Sequence, residues 1–211
     1  MESNWAAENL QTIRTLMERS AIYRRALAPV STCVGMVGIA AAVVGWQLKL
    51  ETDRSFLIYW MAVSLVAISG ALLLVRRQAL KDHEPFWSPP TRRIVQAMFP
   101  ALLVGFLGGV LEASGRSATD GPTVLSMLFV PIWSLFYGLA LHSAGFFMPR
   151  GIRLFGWGFL IAGLVLSFGL AALKETIWNI SPMLLMGVIF GGFHFAYGIY
   201  LYFTEPRKNE A

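Results

Sequence analysis

Long apolar runs separated by short charged segments dominate the chain. Stretches free of Asp, Glu, Lys and Arg run from Ala26 to Leu48, Ser55 to Val75, Ile94 to Leu111, Gly121 to Pro149, Leu154 to Leu173, and Thr176 to Thr204. Crossing a hydrocarbon core about 30 Å thick takes about 18 to 20 apolar residues in a helix, and each run meets that length. Water is absent there, so backbone N–H and C=O groups must bond one another, and only helices do that within a single uninterrupted run. The pattern predicts an all-α polytopic membrane protein with six transmembrane helices. The domain spans residues 26–204, between a basic segment at 1–25 and a tail at 205–211.

Within the first segment, Ala6, Leu10, Ile13 and Met17 recur at helical spacing, with Glu8, Gln11, Thr15 and Glu18 opposite. Ser3 or Asn4 can cap this amphipathic helix. Its arginines Arg14, Arg19, Arg24 and Arg25 suit an anionic lipid surface, so it is expected to lie on the cytoplasmic face as an anchor or as a docking surface for a protein partner. Pro29 is compatible with a bend into the first span. Between the second and third spans, residues 76–93 form the longest cytoplasmic connection, where Pro85, Pro89 and Pro90 stop the helix. Asp82, His83 and Glu84 are metal-ligand types, but adjacent residues diverge on a helix, so a solvated loop is expected.

Charge fixes the direction of the bundle. Of the 17 Lys and Arg residues, 13 fall on the side that holds both termini and 4 on the other. Cytoplasmic loops collect Lys and Arg, so both termini are expected in the cytoplasm. An odd number of spans would break that alternation. The same bias accounts for the net charge of +5 without nucleic acid, for which no motif is present. Glu2, Glu8 and Glu18 interrupt the start of the chain where a cleavable signal would be apolar. Cys33 is the single cysteine, which leaves no intrachain disulfide and leaves the redox compartment open. Trp46, Trp87, Trp178 and Tyr202 lie near the ends of runs, as interfacial anchors do, whereas Trp60 and Trp133 lie inside them as packing residues.

Candidate chemistry is sparse. Gly138, Gly145, Gly187, Gly191 and Gly198 are placed for close helix packing, where small residues let backbones approach. His142 and His194 are ionisable groups within spans, which makes them functional candidates. His142 shares a face with Ser134, Gly138 and Gly145; His194 shares one with Gly187, Gly191 and Gly198. Both fall at comparable depth and could face one cavity, with Ser134 and Tyr197 as polar neighbours. Three readings are open: histidines bonded to neighbouring helices as structural glue, a proton- or ligand-responsive polar pocket, or a bis-histidine haem or metal site. No metal ligand set or cofactor is named by the sequence. Nor does it hold a nucleophile–base arrangement, a phosphate loop or paired carboxylates within a span, so an enzyme is not expected.

The runs Thr15-Leu-Met-Glu-Arg-Ser20, Phe99-Pro-Ala-Leu-Leu103, Trp133-Ser-Leu-Phe-Tyr-Gly138 and Gly191-Gly-Phe-His-Phe-Ala-Tyr-Gly198 resemble a family of bacterial membrane proteins of uncharacterised function. That family is encoded beside winged-helix regulators and has six spans after a basic N-terminal segment. The resemblance implies a bacterial inner membrane and a regulatory or stress-linked role, and it implies no reaction. The family pattern carries a histidine at the position of His194 and a plain apolar residue at that of His142, which sets the two apart.

The leading expectation is therefore a non-enzymatic inner-membrane protein of a sensing or regulatory kind. In it a polar pocket around His194 reports to a cytoplasmic partner through residues 1–25 and 76–93. A small transporter, alone or as a homodimer, is the alternative, and a haem or metal protein the third.

Overall fold

In the computed structural model, which describes residues 26–50, 52–83, 85–115, 124–172 and 180–204, six helices are each long and apolar enough to cross a membrane. They are α1 (Ala26–Gln47), α2 (Asp53–Lys81), α3 (Pro89–Ser114), α4 (Val124–Ala144), α5 (Arg150–Ala172) and α6 (Pro182–Thr204). The described residues hold no strand. The amphipathic segment 1–25, Glu84, Trp178 and the tail 205–211 lie outside the described residues.

The helix boundaries depart from the charge-free runs for local reasons. α2 continues through Arg76 and Arg77 to Lys81, because long cationic side chains keep their stems on the helix while the charge reaches out. His83, in the left-handed region at φ 54°, follows its end. α3 opens on Pro89 and Pro90, in the first turn where no N–H is needed. The expected connection of residues 76–93 therefore shrinks to 82–88: two of its three prolines begin the next helix rather than lying in the loop. α4 ends at Ala144, well before the charge-free run does, and a turn over 145–148 leads to α5. α6 begins at Pro182 in the same way as α3.

Helix directions follow from the contacts. Going up α1, Thr32, Gly38 and Ala42 meet Gly198, Gly191 and Gly187 of α6 in descending order, so the two are antiparallel. Descending order also relates α4 to α5, where Ser134 meets Phe159 and Gly145 meets Arg153, and α3 to α4, where Gly105 meets Phe136 and Gly109 meets Trp133. Phe155 and Phe159 of α5 meet Tyr197 and Phe193 of α6 likewise. Asp53 and Phe56 of α2 meet Ser126 and Trp133 of α4 in ascending order. The helices thus alternate up and down. Arg76, Arg77, Lys81, Arg92, Arg93, Arg150 and Arg153 gather at one end of the bundle, the basic end, and Lys49 and Arg54 lie at the far end.

α4 is the hub, touching α2, α3, α5 and α6. Its approach to α5 is backbone on backbone: a Cβ on Gly156 would stand 2.7 Å from the amide nitrogen of His142 and 2.9 Å from the carbonyl oxygen of Gly138. At such crossings the absence of a side chain lets whole backbones touch, which matters where lipid offers no hydrophobic drive between helices. Larger side chains fill the space beside the hub. Trp60 is buried and donates to Met183 Sδ at 3.2 Å, and Trp133 donates its indole N–H to Gly105 O at 2.9 Å. Outward, the surface is strongly apolar, with Leu65, Val66, Leu73, Val165, Phe168 and Phe203 all exposed. Such a large apolar exterior is foreign to water and compatible with a multi-pass membrane protein, in which lipid covers it.

Candidate functional site

One polar feature of the interior joins α4 to α6. Residues 187–192 of α6 form a π-helical turn, a widening that glycine tolerates and that three of the six residues, Gly187, Gly191 and Gly192, supply. One turn on, the His194 ring folds back so that Nδ1 lies 2.6 Å from Phe190 O. A carbonyl oxygen only accepts, so Nδ1 carries the hydrogen and Nε2 is left with a free lone pair. That lone pair accepts from the Tyr137 hydroxyl at 2.7 Å. The network therefore assigns one neutral tautomer, and both ring nitrogens are satisfied.

Around this pair the space is filled. Phe155 stands edge-on to His194 with centroids 5.1 Å apart, Phe159 lies 5.4 Å away, and Phe159 also meets Tyr137 at 4.9 Å. His194 is 5% exposed. The polar pocket expected around His194 is thus an aromatic box. Phe155 and Phe159 of α5, Tyr137 of α4, and Phe190 of α6 close it, and only the Tyr137 hydroxyl and one carbonyl reach the imidazole. Such an arrangement ties three helices together and fixes their relative height. Interhelical hydrogen bonds inside a membrane are worth about 0.6 kcal/mol on average and about 1.7 at most.

His142 is elsewhere. Its ring meets Phe146 and Trp157, each at 5.5 Å, and shares no ring neighbour with His194. A bis-histidine site needs both imidazoles at one point, and this bundle keeps them apart. Among the described residues no group of three or more His, Cys, Asp or Glu gathers as for a metal ion. Ser134 is buried against α5 and donates to Phe159 O at 2.8 Å. Tyr197 stacks on Phe155 at 4.3 Å, with its hydroxyl against Gly151 at the start of α5, so the hydroxyl that serves His194 belongs to Tyr137 instead. Gly138 and Gly145 lie against α5, and Gly187, Gly191 and Gly198 against α1, each where a Cβ would overlap the neighbouring helix.

Two positions of the polar interior escape a reading of the sequence. Tyr137 stands inside the quoted run Trp133 to Gly138, but its face is not that of His142, and nothing local says which helix lies opposite. Asp53 sits at the edge of an apolar run, where a charge reads as a boundary marker. In the fold it is 1% exposed and accepts from both the backbone N–H of Ser126, at 2.9 Å, and its hydroxyl, at 2.5 Å. The carboxylate of α2 thereby caps the N-terminus of α4, where unpaired amides and the helix dipole favour a negative charge. Its own helix is capped by Thr52, whose side chain accepts from the Ser55 amide.

Set against models of known protein families, curated proteins and solved structures, the chain matches none.

Proposed function

We propose that this chain is a multi-pass protein of a bacterial inner membrane, with both termini in the cytoplasm, and that it senses or regulates rather than catalyses. One observation carries the regulatory reading: a buried imidazole clasped in a single tautomer between Tyr137 and the π turn of α6. The clasp is a two-state element. A neutral ring accepts from Tyr137, whereas a protonated ring has only donors and forces that hydroxyl to find another acceptor. A small axial shift of α6 along α4 has the same effect. π turns within α-helices recur at functional sites, and a bistable element is what a sensor requires.

The gathering of seven described Lys and Arg residues at one end supports the cytoplasmic assignment of that end. The resemblance to six-span bacterial proteins encoded beside winged-helix regulators supports the same reading. Its pocket is replaced by the aromatic box, so a stimulus would act by moving helices, not by filling a cavity.

The test compares cells that lack the protein with cells restored by wild type, His194→Phe or Tyr137→Phe at equal membrane abundance. A regulatory protein produces a transcript response that wild type restores and His194→Phe does not. Full restoration by His194→Phe removes the clasp from function. A second reading, a transporter, draws on the interruption of three helices, by Pro100, Pro131 and the π turn. Saturable solute uptake by liposomes carrying the purified protein would select it.

A further inference from the structure

At the basic end, the last turn of α4 carries His142, and the first turn of α5 carries Arg150 and Arg153. The Arg153 guanidinium lies over the Phe146 ring at 5.5 Å, and that ring is also edge-on to His142. Trp157, one turn along α5 from Arg153, covers the other side of the imidazole. Phe146 and Trp157 are exposed, at 66% and 48%, and Arg150 is exposed beside them. One feature sets this corner apart from the other basic residues. His142 Nδ1 is the one buried side-chain nitrogen or oxygen among the described residues with no hydrogen-bond partner. Like the other described Lys and Arg residues, neither arginine has a carboxylate partner among the described residues.

We propose that His142, Arg150 and Arg153 form a headgroup site for one anionic phospholipid. The two guanidiniums pair with the phosphate, the imidazole donates to the headgroup through its other nitrogen once Nδ1 is left bare, and Phe146 and Trp157 flank the glycerol region. Charge complementarity selects the occupant: two cations with no carboxylate partner among the described residues, one of them over an exposed aromatic ring, call for an anion with apolar chains. A free phosphate satisfies the charges but leaves the aromatic walls bare. The site rests on the membrane reading, and it gives that reading a partner, since lipid charge at this corner bears on the α4–α5 crossing.

The test strips the full-length protein of lipid in detergent. It then titrates phosphatidylglycerol and phosphatidylcholine of identical chains, counting bound lipid by native mass spectrometry. Phosphatidylglycerol is expected to bind about tenfold more tightly, a preference that two arginines can supply. Arg150→Gln/Arg153→Gln should abolish it, and His142→Phe, which keeps the ring but not the nitrogens, should reduce it several-fold. Arg76→Gln/Arg77→Gln, at the same end on α2, should leave it intact. Equal binding of the two lipids by wild type, retention of the preference in the double variant, or displacement of the lipid by excess inorganic phosphate each overturns the proposal. Should the double variant not fold, exposed Arg150→Gln alone gives the same reading. Detergent has no sides, so the result is independent of orientation. Labelling of Trp87→Cys by an impermeant thiol reagent in sealed vesicles tests orientation separately.

Discussion

α2 and α4 belong to one bundle and are held in opposite ways. About 44% of the apolar window of α4 is buried inside the fold, against 6% of that of α2. Yet α2 has the window of higher mean hydropathy, 2.2 against 1.6. It is pinned at the far end by Asp53, Phe56, Leu57 and Trp60, touches the fold again at Ala79, and between them turns Leu65, Val66, Ile68, Leu72 and Leu73 outward. In water the ranking would be the reverse. In a membrane, lipid rewards apolar side chains on the outside, while the inside goes to residues whose shape and polar groups fit a neighbouring backbone. Gly138, Ser134 and Tyr137 earn the centre for α4 in that way.

The comparison breaks most visibly at glycine. Gly156→Leu drives a side chain into the backbone of α4 and is expected to lose the folded protein or lower its Tm by on the order of 10 °C. Gly70→Leu on α2, where nothing stands within 4 Å, should shift Tm by no more than about 2 °C. Thermal unfolding in detergent measures both. An equal loss at the two sites means that α2 has a neighbour and the contrast fails.

Asp53→Asn tests the charged attachment of α2. The amide keeps the shape and surrenders the charge at the α4 N-terminus, for an expected cost of about 1–2 kcal/mol by the same measurement. Ser126→Ala should cost less when Asp53 is already Asn, because its hydroxyl then donates to a neutral amide oxygen and no longer to a carboxylate.

A smaller effect sits in the clasp. Tyr137→Phe and His194→Phe, with the double variant, should show a coupling of about 0.6–1.7 kcal/mol. A coupling of zero would mean that the two side chains do not bond in the bilayer. Smallest of all, Leu72→Ala on the outward face of α2 is expected to change stability by less than about 0.5 kcal/mol.

The number of long apolar helices and their alternation could be read from the chain, because the length and apolarity of each run are local properties of the sequence. So could the face of α4 that carries Ser134, Gly138, His142 and Gly145, since helical periodicity alone groups them. What α4 faces could not. The partner of Ser134 is a carbonyl on α5, and that of Asp53 is a serine far along the chain, and neither choice leaves a local trace. His142 and His194 look alike in sequence, in type and in depth. Their difference arises from helix rotation: His194 turns toward the α4–α5 interface and Tyr137, and His142 toward Trp157 at the margin. Residues 76–93 show a simpler ambiguity, since a proline that ends one helix also suits the first turn of the next.

Distances between spin labels test the contrast most directly. In a Cys33→Ser background reconstituted in bilayers, one pair, Arg54→Cys with Leu128→Cys, reports the far end of α2 against α4. The other, Arg77→Cys with Leu139→Cys, reports its basic end; all four positions are exposed. A helix pinned at its far end and mostly outward-facing beyond it gives a narrow distance distribution for the first pair and a broad one for the second. Equally narrow distributions would show that α2 is held along its whole length, and the account of a packed hub with one loosely attached helix would be wrong.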